Sequence, residues 1–510
     1  MRLGALIDGL DEAVRDVEVT GIATDSRAVR PGEAFFALPG IRTDGRRHVA
    51  EAVARGARAI VAEGAVADAG GVAVEGPVPV VSVTAVRRLL ALAAARLAGE
   101  PSAQLTLVGV TGTNGKTSTT FILEAIWQAA GVRPGVIGTV GYRFAGLDRP
   151  APLTTPEAPV LQGLLAEMRR AGTTHVAMEV SSHALAQERV VGCRFDAAVF
   201  TNLTRDHLDF HGDTESYYHA KARLFLEHLA ASRKPDPVAI VNVDDPAGER
   251  LAAAVRTRCV RVGRAASAGV HAVDIETTLA GTRGILSLGG SRLPFRTRLV
   301  GAPQVENLLG AAAAAWALGA APEAIAAGLA AAAPPPGRLE RFDGRGITVM
   351  VDYAHTPDAL TRALAVLRPL TRGRLIVVFG CGGDRDPGKR PLMGEAAARL
   401  SDVAVLTSDN PRTEDPRRIL EAIEAGVRSG AMGPVGSAAT EGRGYLVEPD
   451  RRLAIALAIG LARPGDLVLV AGKGHEDYQI VGHEKRHLDD REEVRRALGT
   501  QEAGQVEEVR

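Results

Sequence analysis

The sequence predicts an α/β protein of three domains: a small N-terminal α/β domain, a central domain with a mostly parallel sheet, and a C-terminal Rossmann-like α/β domain. The chain has 510 residues, and an ordinary domain holds roughly 150 residues. Short apolar strands alternate with Ala-rich helical segments, a pattern typical of parallel sheets covered by helices. A proline-glycine break at residues 334–337 separates two such alternations and predicts a linker.

Apolar segments of β type place the strands of each domain. Residues 1–100 contain VEVTGIATD, EAFFAL, RAIVAE and VPVVSV. Residues 101–335 contain QLTLVGV, THVAMEV, DAAVFTNL and VAIVNVD, followed by the helical segment NLLGAAAAAWALGAAPEAIAAGLAAAA. Residues 336–510 contain TVMVDYA, RLIVVFG, VAVLTSD and DLVLVAGKG. We therefore expect domain boundaries near residues 100 and 335.

Composition narrows the class of protein. Lys+Arg and Asp+Glu each number 60, so no overall charge favours nucleic acid or an anionic membrane surface. The three cysteines are odd in number and far apart, which favours reduced thiols over a disulfide framework. The N-terminus lacks the apolar region of a signal peptide, and no later apolar run reaches about 18 residues. The sequence predicts a cytoplasmic protein without nucleic-acid partners or membrane insertion.

The stretch VGVTGTNGKTSTTF, residues 108–121, joins a buried strand to a helix through glycines. Such a loop turns backbone N–H groups and a helix N-terminus toward one anion. The chain has only six lysines, and Lys116 is one of them. In a P-loop, Lys116 would reach the phosphates and the Thr117 hydroxyl would bind Mg²⁺. Val110 replaces the first glycine of the strict template, so an ordinary glycine-rich turn is the alternative. We predict a P-loop ATPase-like central domain.

Further motifs resemble those of the Mur ligases, a family of ATP-dependent amide-forming enzymes, and they stand in the family's order. They are DSR, DGRRH, TT at 154–155, MEVSSHAL, TNLTRDHLDFHG, YYHAKARLF, VDYAHTPDAL, FGCGGDRDPGKRP, SDNPRTEDP and AGKGHEDYQ. The DNPR form is similar to that of members that add meso-diaminopimelate rather than lysine. The resemblance implies addition of meso-2,6-diaminopimelate to UDP-N-acetylmuramoyl-L-alanyl-D-glutamate through an acyl phosphate, in cytoplasmic peptidoglycan precursor synthesis. ATP and Mg²⁺ are the implied cofactors, and a monomer is expected.

The resemblance also assigns the nucleotide site, in the loop and in later segments. The implied ATP-binding residues are Gly112, Thr113, Asn114, Gly115, Lys116, Thr117, Ser118, Asn307, Arg338 and Asp352. Asn307 matches an adenine contact. GAPQVENL departs from the family pattern, which has an aromatic residue or His followed by Asn where this chain has Pro303 and Gln304.

Three further residues are candidates for catalysis and metal binding. Glu179 ends the strand HVAMEV, where α/β sheets place ligands; a solvated strand-end acid is the alternative. His207 resembles the family's second metal ligand, and a structural histidine is the alternative. The implied catalytic residues are Lys116, Glu179, His207 and Lys221, and the implied metal ligands are Thr117, Glu179, His207 and Lys221 as a carbamate.

Lys221 stands on a helix with aromatic residues at four-residue spacing, Tyr217 and Phe225. This spacing puts the amine on an aromatic-flanked face, where desolvation favours the neutral form. A neutral amine can add CO₂, and the resemblance implies this carbamate here. A plain cation paired with a phosphate or carboxylate is the alternative.

The resemblance divides substrate recognition between two regions. The UDP end is assigned to Thr24, Ser26, Ile41, Arg42 and Thr43, although a plain surface turn is the alternative for that loop. The peptide end is assigned to Thr154, Thr155, Ser181, Gln187 and Arg189.

The amino-acid site is expected in the C-terminal domain. Meso-diaminopimelate carries a carboxylate beside its distal amine, and Arg412 offers a bidentate fork for it. Glu476 could hold the ammonium. The implied site comprises Arg385, Asp409, Asn410, Pro411, Arg412, Gly472 and Glu476. In the alternative, Arg412 merely pairs with Glu414 or Asp415 on a solvated loop.

Two other functions share the phosphate loop. A folylpolyglutamate synthetase would use the same acyl-phosphate route, but it would not need the DSR and DGRRH stretches or the DNPR and GKGHE motifs. A non-ligase P-loop ATPase would hydrolyse ATP without an amino-acid co-substrate.

Overall fold

A computed structural model describes residues 1–40, 43–66, 78–435 and 442–499. The chain divides into two compact units. The first comprises Met1–His271, Ser287–Leu293 and Asn307–Gly328, and the second comprises Ala272–Leu286, Pro294–Glu306 and Leu329–Arg510. The first unit contains an N-terminal sheet and a central sheet, and the second contains a C-terminal sheet. The predicted α/β class with three sheets is confirmed.

The N-terminal sheet is parallel, with strand order β1-β2-β3-β4. Its elements are α1 (Leu3–Leu6), α2 (Glu12–Arg15), β1 (Ile22–Ala23), β2 (Ala34–Ala37), α3 (Val49–Ala54), β3 (Ala59–Glu63), β4 (Val80–Val83) and α4 (Val86–Leu97). All four predicted strands are present. The first is short because the VEV part of its segment pairs with the N-terminus, where Val19 N donates to Met1 O at 2.8 Å.

The central sheet of the first unit has the order β12-β11-β10-β5-β9-β6-β7-β8. Its strands are β5 (Thr106–Thr111), β6 (Pro134–Ile137), β7 (Tyr142–Phe144), β8 (Leu147–Arg149), β9 (His175–Glu179), β10 (Ala197–Phe200), β11 (Val238–Asn242) and β12 (Arg258–Val262). The pairs from β12 to β6 are parallel, and β7 and β8 add antiparallel strands at one edge. The four predicted central strands correspond to β5, β9, β10 and β11. Their carboxyl ends share one edge of the sheet.

Helices flank the central sheet and continue into an Ala-rich pair. They are α5 (Lys116–Ala129), α6 (Ala158–Arg170), α7 (Ser182–Ala186), α8 (Leu208–His211), α9 (Thr214–Arg223), α10 (Pro246–Ala254), α11 (Ala302–Ala317) and α12 (Pro322–Ala331). Three strands, β13 (Val270–Thr278), β14 (Gly281–Leu288) and β15 (Ser291–Thr297), precede α11 and were not predicted. The predicted long helical segment is two helices, because Gly319 has φ 91° and Pro322 starts a new helix.

The C-terminal sheet has the order β16-β17-β21-β18-β19-β20 and is parallel except for β16. Its strands are β16 (Glu340–Gly344), β17 (Ile347–Asp352), β18 (Leu375–Phe379), β19 (Val403–Leu406), β20 (Gly444–Val447) and β21 (Leu467–Ala471), with a separate hairpin of β22 (Tyr478–Val481) and β23 (Glu484–His487). Its helices are α13 (Pro357–Leu367), α14 (Lys389–Leu400), α15 (Pro416–Ser429), α16 (Arg451–Leu461) and α17 (Asp490–Leu498). The four predicted strands correspond to β17, β18, β19 and β21. Three of these, β18, β19 and β21, are buried along their whole length.

Side-chain caps fix where the C-terminal helices begin. The Thr356 hydroxyl accepts from Ala359 N before α13, and the Asp415 carboxylate accepts from Arg417 N before α15. Asp450 and Asp489 cap α16 and α17 in the same way. Within the described ranges, no helix is both long enough and apolar enough to span a membrane.

Candidate active site

The glycine loop between β5 and α5 packs tightly against its neighbours. Gly112 and Gly115 have φ angles of 149° and 89°. A Cβ atom added at Gly112 would lie 1.9 Å from Thr201 Oγ1, and one at Gly115 would lie 2.1 Å from Asn307 Oδ1. Only glycine therefore fits at either position. The loop has the strand-to-helix placement that the sequence predicts.

Side chains at the end of β10 hold the tip of this loop. Asn114 N donates to Asn202 Oδ1 at 2.9 Å. Thr201 Oγ1 donates to the Asn114 carbonyl at 2.6 Å, and Asn202 Nδ2 donates to the same carbonyl at 3.2 Å. The loop shape is therefore set by Thr201 and Asn202, which sequence reasoning did not select. Asn202 is one of few asparagines in the chain, and this rarity is the feature by which it could have been selected from the sequence.

Asn307, assigned to adenine by the resemblance, lies against the phosphate loop. It is 6% exposed, and its amide oxygen faces Gly115 at the start of α5. The residue thus packs on the backbone that leads into the phosphate-binding helix. Its adenine role stays a prediction.

Two lysines converge on the same loop carbonyl. Lys116 Nζ donates to the Gly112 carbonyl at 2.9 Å and to the Thr113 carbonyl at 2.8 Å. Lys221 Nζ donates to the Gly112 carbonyl at 2.8 Å. The two candidate lysines, far apart in sequence, are therefore neighbours.

Lys221 is buried on an aromatic helix face, as its spacing predicts. It is 1% exposed, and its Nζ lies 4.3 Å from the centroid of the Tyr217 ring. Burial, reinforced by the charge of Lys116 and opposed by Asp206, holds the pKa of Lys221 well below its usual value. The second aromatic residue, Phe225, lies in a π-helical turn after α9 and packs on Phe200 instead. These surroundings thus disfavour the charged ammonium form.

Glu179 ends β9 directly beside the phosphate-loop helix. It is 1% exposed, and its Oε1 accepts a hydrogen bond from Thr117 Oγ1 at 2.9 Å. Thr139 donates to the same carboxylate from N at 2.9 Å and from Oγ1 at 3.0 Å. Carboxylate and hydroxyl oxygens are ligand types that Mg²⁺ accepts. This pair of adjacent oxygens fits the predicted metal, and the buried carboxylate is not a solvated strand-end acid.

His207 lies in an aromatic cluster after β10. Its ring centroid is 4.8 Å from that of His183 and 6.1 Å from that of Tyr217. Burial lowers the pKa of His207, and Asp206 opposes this shift. Within the described part of the chain, no group of three or more His, Cys, Asp or Glu side chains could hold a metal ion. The metal role of His207 stays a prediction.

The residues assigned to the peptide end of the substrate form one network beside Glu179. Thr155 Oγ1 donates to the Glu179 carbonyl at 2.8 Å and accepts from Ser181 N at 3.0 Å. Arg189 donates to the Thr155 carbonyl at 2.9 Å and to Gln187 Oε1 at 2.6 Å. The Thr154 hydroxyl lies 3.0 Å from that of Thr139, which also contacts Glu179. The structure thus brings all five together.

Two of the N-terminal candidates, Ser26 and Thr43, have protein partners of their own. Ser26 is 6% exposed, and its hydroxyl donates to Glu51 Oε2 at 2.6 Å. Thr24 is exposed, and Thr43 Oγ1 lies 3.2 Å from His48 Nε2. The remaining two, Ile41 and Arg42, lie outside the described residues. A UDP role for this loop stays a prediction.

In the second unit, Arg412 is held by the β22–β23 hairpin. Its backbone has φ 52°; its N donates to the Ile480 carbonyl at 3.0 Å, and its carbonyl accepts from Gly482 N at 2.7 Å. Its Nη1 donates to the Gly383 carbonyl at 2.7 Å. Glu414 pairs with Arg390, and Asp415 caps α15. The described ion pairs therefore do not include a pair of Arg412 with Glu414 or Asp415, which was the alternative for this residue.

Glu476 belongs to a buried polar cluster that includes a residue the sequence analysis missed. Asn410 Nδ2 donates to Glu476 Oε2 at 3.2 Å. Lys473, fully buried, donates to Asn410 Oδ1 and to Glu476 Oε2, both at 3.3 Å. Lysine is rare in this sequence, and this rarity is the feature by which Lys473 could have been selected.

The other residues assigned to the amino acid lie around this cluster. A Cβ atom added at Gly472 would lie 2.8 Å from Asp409 Oδ2, and one at Gly382 would lie 2.9 Å from Arg412 Nη1 and 3.8 Å from Arg385 Cγ. Arg385 itself is exposed. The carbonyl of Pro411 lies against Gly383. The predicted set is thus assembled at the carboxyl ends of β18, β19 and β21.

Arg338 and Asp352 are neighbours in the second unit. The Asp352 carboxylate accepts from Leu339 N at 2.8 Å and from Ala354 N at 2.9 Å. Burial raises the pKa of Asp352, and the charge of Arg338 opposes this. The guanidinium of Arg338 lies 4.4 Å from the centroid of the Tyr353 ring. Their nucleotide roles stay predictions.

Comparison with known proteins matches three family descriptions. The Mur ligase family, catalytic domain, matches residues 18–98; the Mur ligase middle domain matches residues 110–315; and the Mur ligase, glutamate ligase domain, matches residues 337–474. A solved Mycobacterium tuberculosis folylpolyglutamate synthase, complexed with ADP and AMPPCP, shares the fold, with a TM-score of 0.62 and 21% identity over 76% of this chain and 93% of that chain.

Relatives that match nearly end to end are UDP-N-acetylmuramoyl-L-alanyl-D-glutamate--2,6-diaminopimelate ligases. That of Geobacter metallireducens is 48% identical, covering 94% of each chain, and that of Gloeobacter violaceus is 49% identical, covering 98% of each chain. A solved structure with the same protein name is 32% identical, with a TM-score of 0.70, and covers 99% of this chain and 100% of that chain. The protein therefore belongs to the Mur ligase family.

Proposed function

We propose that this chain is an ATP-dependent amide ligase that adds meso-2,6-diaminopimelate to UDP-N-acetylmuramoyl-L-alanyl-D-glutamate in peptidoglycan precursor synthesis. The observation that carries the proposal is the assembly of Asp409, Asn410, Arg412 and Glu476 in the unit that follows a phosphate loop. Relatives of 48% and 49% identity bear the corresponding name. Lys473 is buried, and the Arg412 side chain donates to a backbone carbonyl. Both observations support a site for an amino-acid side chain that carries a positive and a negative charge.

The chain's residues divide the chemistry between the two sites. The glycine loop would cradle the phosphates of ATP, and its fit is supported by the glycines, where a Cβ atom would collide with neighbouring residues. Thr117 and Glu179 would hold Mg²⁺, because their side-chain oxygens are adjacent. When bound, ATP supplies the phosphoryl group that activates the substrate carboxylate as an acyl phosphate. Lys116 neutralises negative charge at that group. The amine of diaminopimelate then attacks the acyl carbon, phosphate leaves, and the amine proton passes to solvent.

Lys221 has a separate role in the proposal. Its buried amine would add CO₂ to give a carbamate and a released proton, and the carbamate, Glu179 and His207 would hold Mg²⁺. The low pKa of Lys221 supports this addition, because only the unprotonated amine reacts. The carbamate would also place a negative charge beside Lys116.

The domains take matching roles. Residues 1–100 bind the UDP end through Thr24, Ser26 and the loop at 41–43, residues 101–335 bind ATP, and residues 336–510 bind diaminopimelate. Asn307 would contact the nucleotide. The protein works as a cytoplasmic monomer.

Phosphate release tests this function. The purified protein is given ATP and Mg²⁺ with UDP-N-acetylmuramoyl-L-Ala-D-Glu plus meso-diaminopimelate, with a folate plus glutamate, or with neither pair. Release that depends on the first pair, with formation of the tripeptide product, is expected. Release with folate and glutamate, or equal release without any acceptor, would contradict the proposal.

A further inference from the structure

A fully buried ion pair lies behind the amino-acid site. Arg451 Nε donates to Asp490 Oδ1 and Nη2 donates to Asp490 Oδ2, both at 2.7 Å. Both side chains are 0% exposed. Arg451 is the first residue of α16, where the helix dipole disfavours a cation. The residue therefore does not stand there to stabilise its own helix.

The same guanidinium reaches two strand ends. Arg451 Nη2 donates to the Ala471 carbonyl at 2.9 Å, and Nη1 donates to the Ser408 carbonyl at 3.5 Å. Ala471 ends β21 and precedes Gly472, and Ser408 precedes Asp409 after β19. These strands do not pair with each other, because β18 lies between them. Arg451 is thus a direct link across the gap between them.

The charge environment ties Arg451 to the acids of the site. Burial lowers its pKa, but Asp490, with smaller contributions from Asp409 and Glu476, outweighs burial and raises it. A Cβ atom added at Gly472 would lie 3.8 Å from Arg451 Nη2 and 2.8 Å from Asp409 Oδ2. The guanidinium is therefore next to the predicted amino-acid contacts, on their buried side.

We infer that Arg451, oriented by Asp490, is a positioning residue that fixes the distance between the Asp409–Asn410 and Gly472–Glu476 segments and so sets the affinity for diaminopimelate. The inference rests on the proposed function. A buried ion pair is often no more stabilising than an apolar pair of similar volume. Stability alone therefore gives no reason for a charged pair here, whereas a link to two backbone carbonyls requires a guanidinium.

The opposite edge of the same sheet supplies a matched control. Arg374 pairs with Asp466 at 2.7 Å, with side chains 18% and 5% exposed. This pair joins the amino ends of β18 and β21, since Arg374 precedes Leu375 and Asp466 precedes Leu467. It has the same chemistry and ties the same sheet, but it lies at the edge away from the site.

The experiment compares Asp490→Asn with Asp466→Asn in the full-length protein by Tm and by steady-state kinetics for each substrate. Both variants are expected to lower Tm. Only Asp490→Asn is expected to raise KM for diaminopimelate, by about tenfold to 10²-fold, the cost of a misplacement of roughly 1 Å. KM values for ATP and for the UDP-linked substrate should stay within about twofold in both variants. Equal effects of the two substitutions on KM for diaminopimelate would overturn the inference.

A double variant separates positioning from folding. Arg451→Met combined with Asp490→Leu removes both charges at similar volume and is expected to recover Tm. KM for diaminopimelate should remain raised, because no side chain then links the two strand ends. Recovery of both Tm and KM would overturn the inference. Failure of the wild type to release phosphate with diaminopimelate would instead defeat the proposed function.

Discussion

Lys116 and Lys221 share one acceptor, since both Nζ atoms donate to the Gly112 carbonyl, at 2.9 and 2.8 Å. Two cations at one carbonyl repel each other, and Lys221 is the more deeply buried of the two. Burial, and then the charge of Lys116, lowers the pKa of Lys221. The two lysines at this carbonyl therefore differ in burial and in environment.

Replacing Lys116 tests the P-loop assignment. Lys116→Ala keeps the loop amides but removes the cation that neutralises the phosphates, so phosphate release should fall by at least about 10²-fold. Steady-state phosphate release with all three substrates measures the loss. Lys485→Ala, on the exposed β23 strand, is the control and should leave the rate unchanged. Near-normal ligation by Lys116→Ala would contradict the P-loop assignment.

Replacing Lys221 tests the proposed carbamate. Lys221→Ala should be nearly inactive and should recover activity with added acetate or formate, because a small carboxylate can occupy the place of the carbamate. Native mass measurement of the wild type in bicarbonate should show labile added CO₂. Absence of both rescue and added mass would indicate that Lys221 acts as a plain cation.

Arg412 is expected to select the amino acid. L-lysine would leave the guanidinium without its carboxylate, a penalty of about 2 to 5 kcal/mol, so kcat/KM should favour meso-diaminopimelate by roughly 30-fold to several thousand-fold. Arg412→Ala should lose most of this preference. Arg428→Ala, whose side chain pairs with Glu424 on α15, should keep it. Equal use of both amino acids by the wild type would refute the selectivity mechanism.

The buried side chain of His228 should make the free energy of unfolding depend on pH. Burial, then the charge of Arg223, lowers its pKa to about 4, while Glu227 and Glu188 oppose the shift. The unfolded chain binds this proton near pH 6.5, so the free energy of unfolding should fall as pH drops from 6.5 to 4, by on the order of 2 kcal/mol from this group. His228→Gln should flatten that part of a denaturant-measured stability profile. His219→Gln, at an exposed position, should not; equal slopes for all three proteins would contradict the prediction.

The parts of the fold that the sequence predicts are those with a strong local signal. β18 and β21 are continuous apolar runs, and β5 and β9 are buried except at their first residue. All four pair with parallel neighbours, and the glycine loop follows β5 directly. β7 and β8 have three residues each, too few for a periodic pattern. β13 alternates buried and half-buried positions only at its start. Short or irregular strands are specified by their neighbours in the sheet rather than by their own residues.

Sequence motifs select some residues of the candidate site, and packing between distant segments holds others. Glu179, Lys221 and Arg412 stand in motifs, and the structure places them in buried or anchored positions. Lys473 and Arg451 depend on partners that are 63 and 39 residues away in the chain. Asn307 lies against Gly115 through a close approach that no local pattern encodes. Contacts between distant segments decide such positions.

The position of β21 determines when the C-terminal sheet can form. This strand lies between β17 and β18, and the ion pair at its amino end joins residues 92 positions apart. Pairings over such separations make folding slow, because the loop entropy is lost before the contacts form. During synthesis, β17 and β18 therefore cannot be joined in the sheet until β21 has been made. A chain released before residue 471 lacks part of the strand that lies between them. The proposed amino-acid site is thus among the last parts of the protein to acquire its structure.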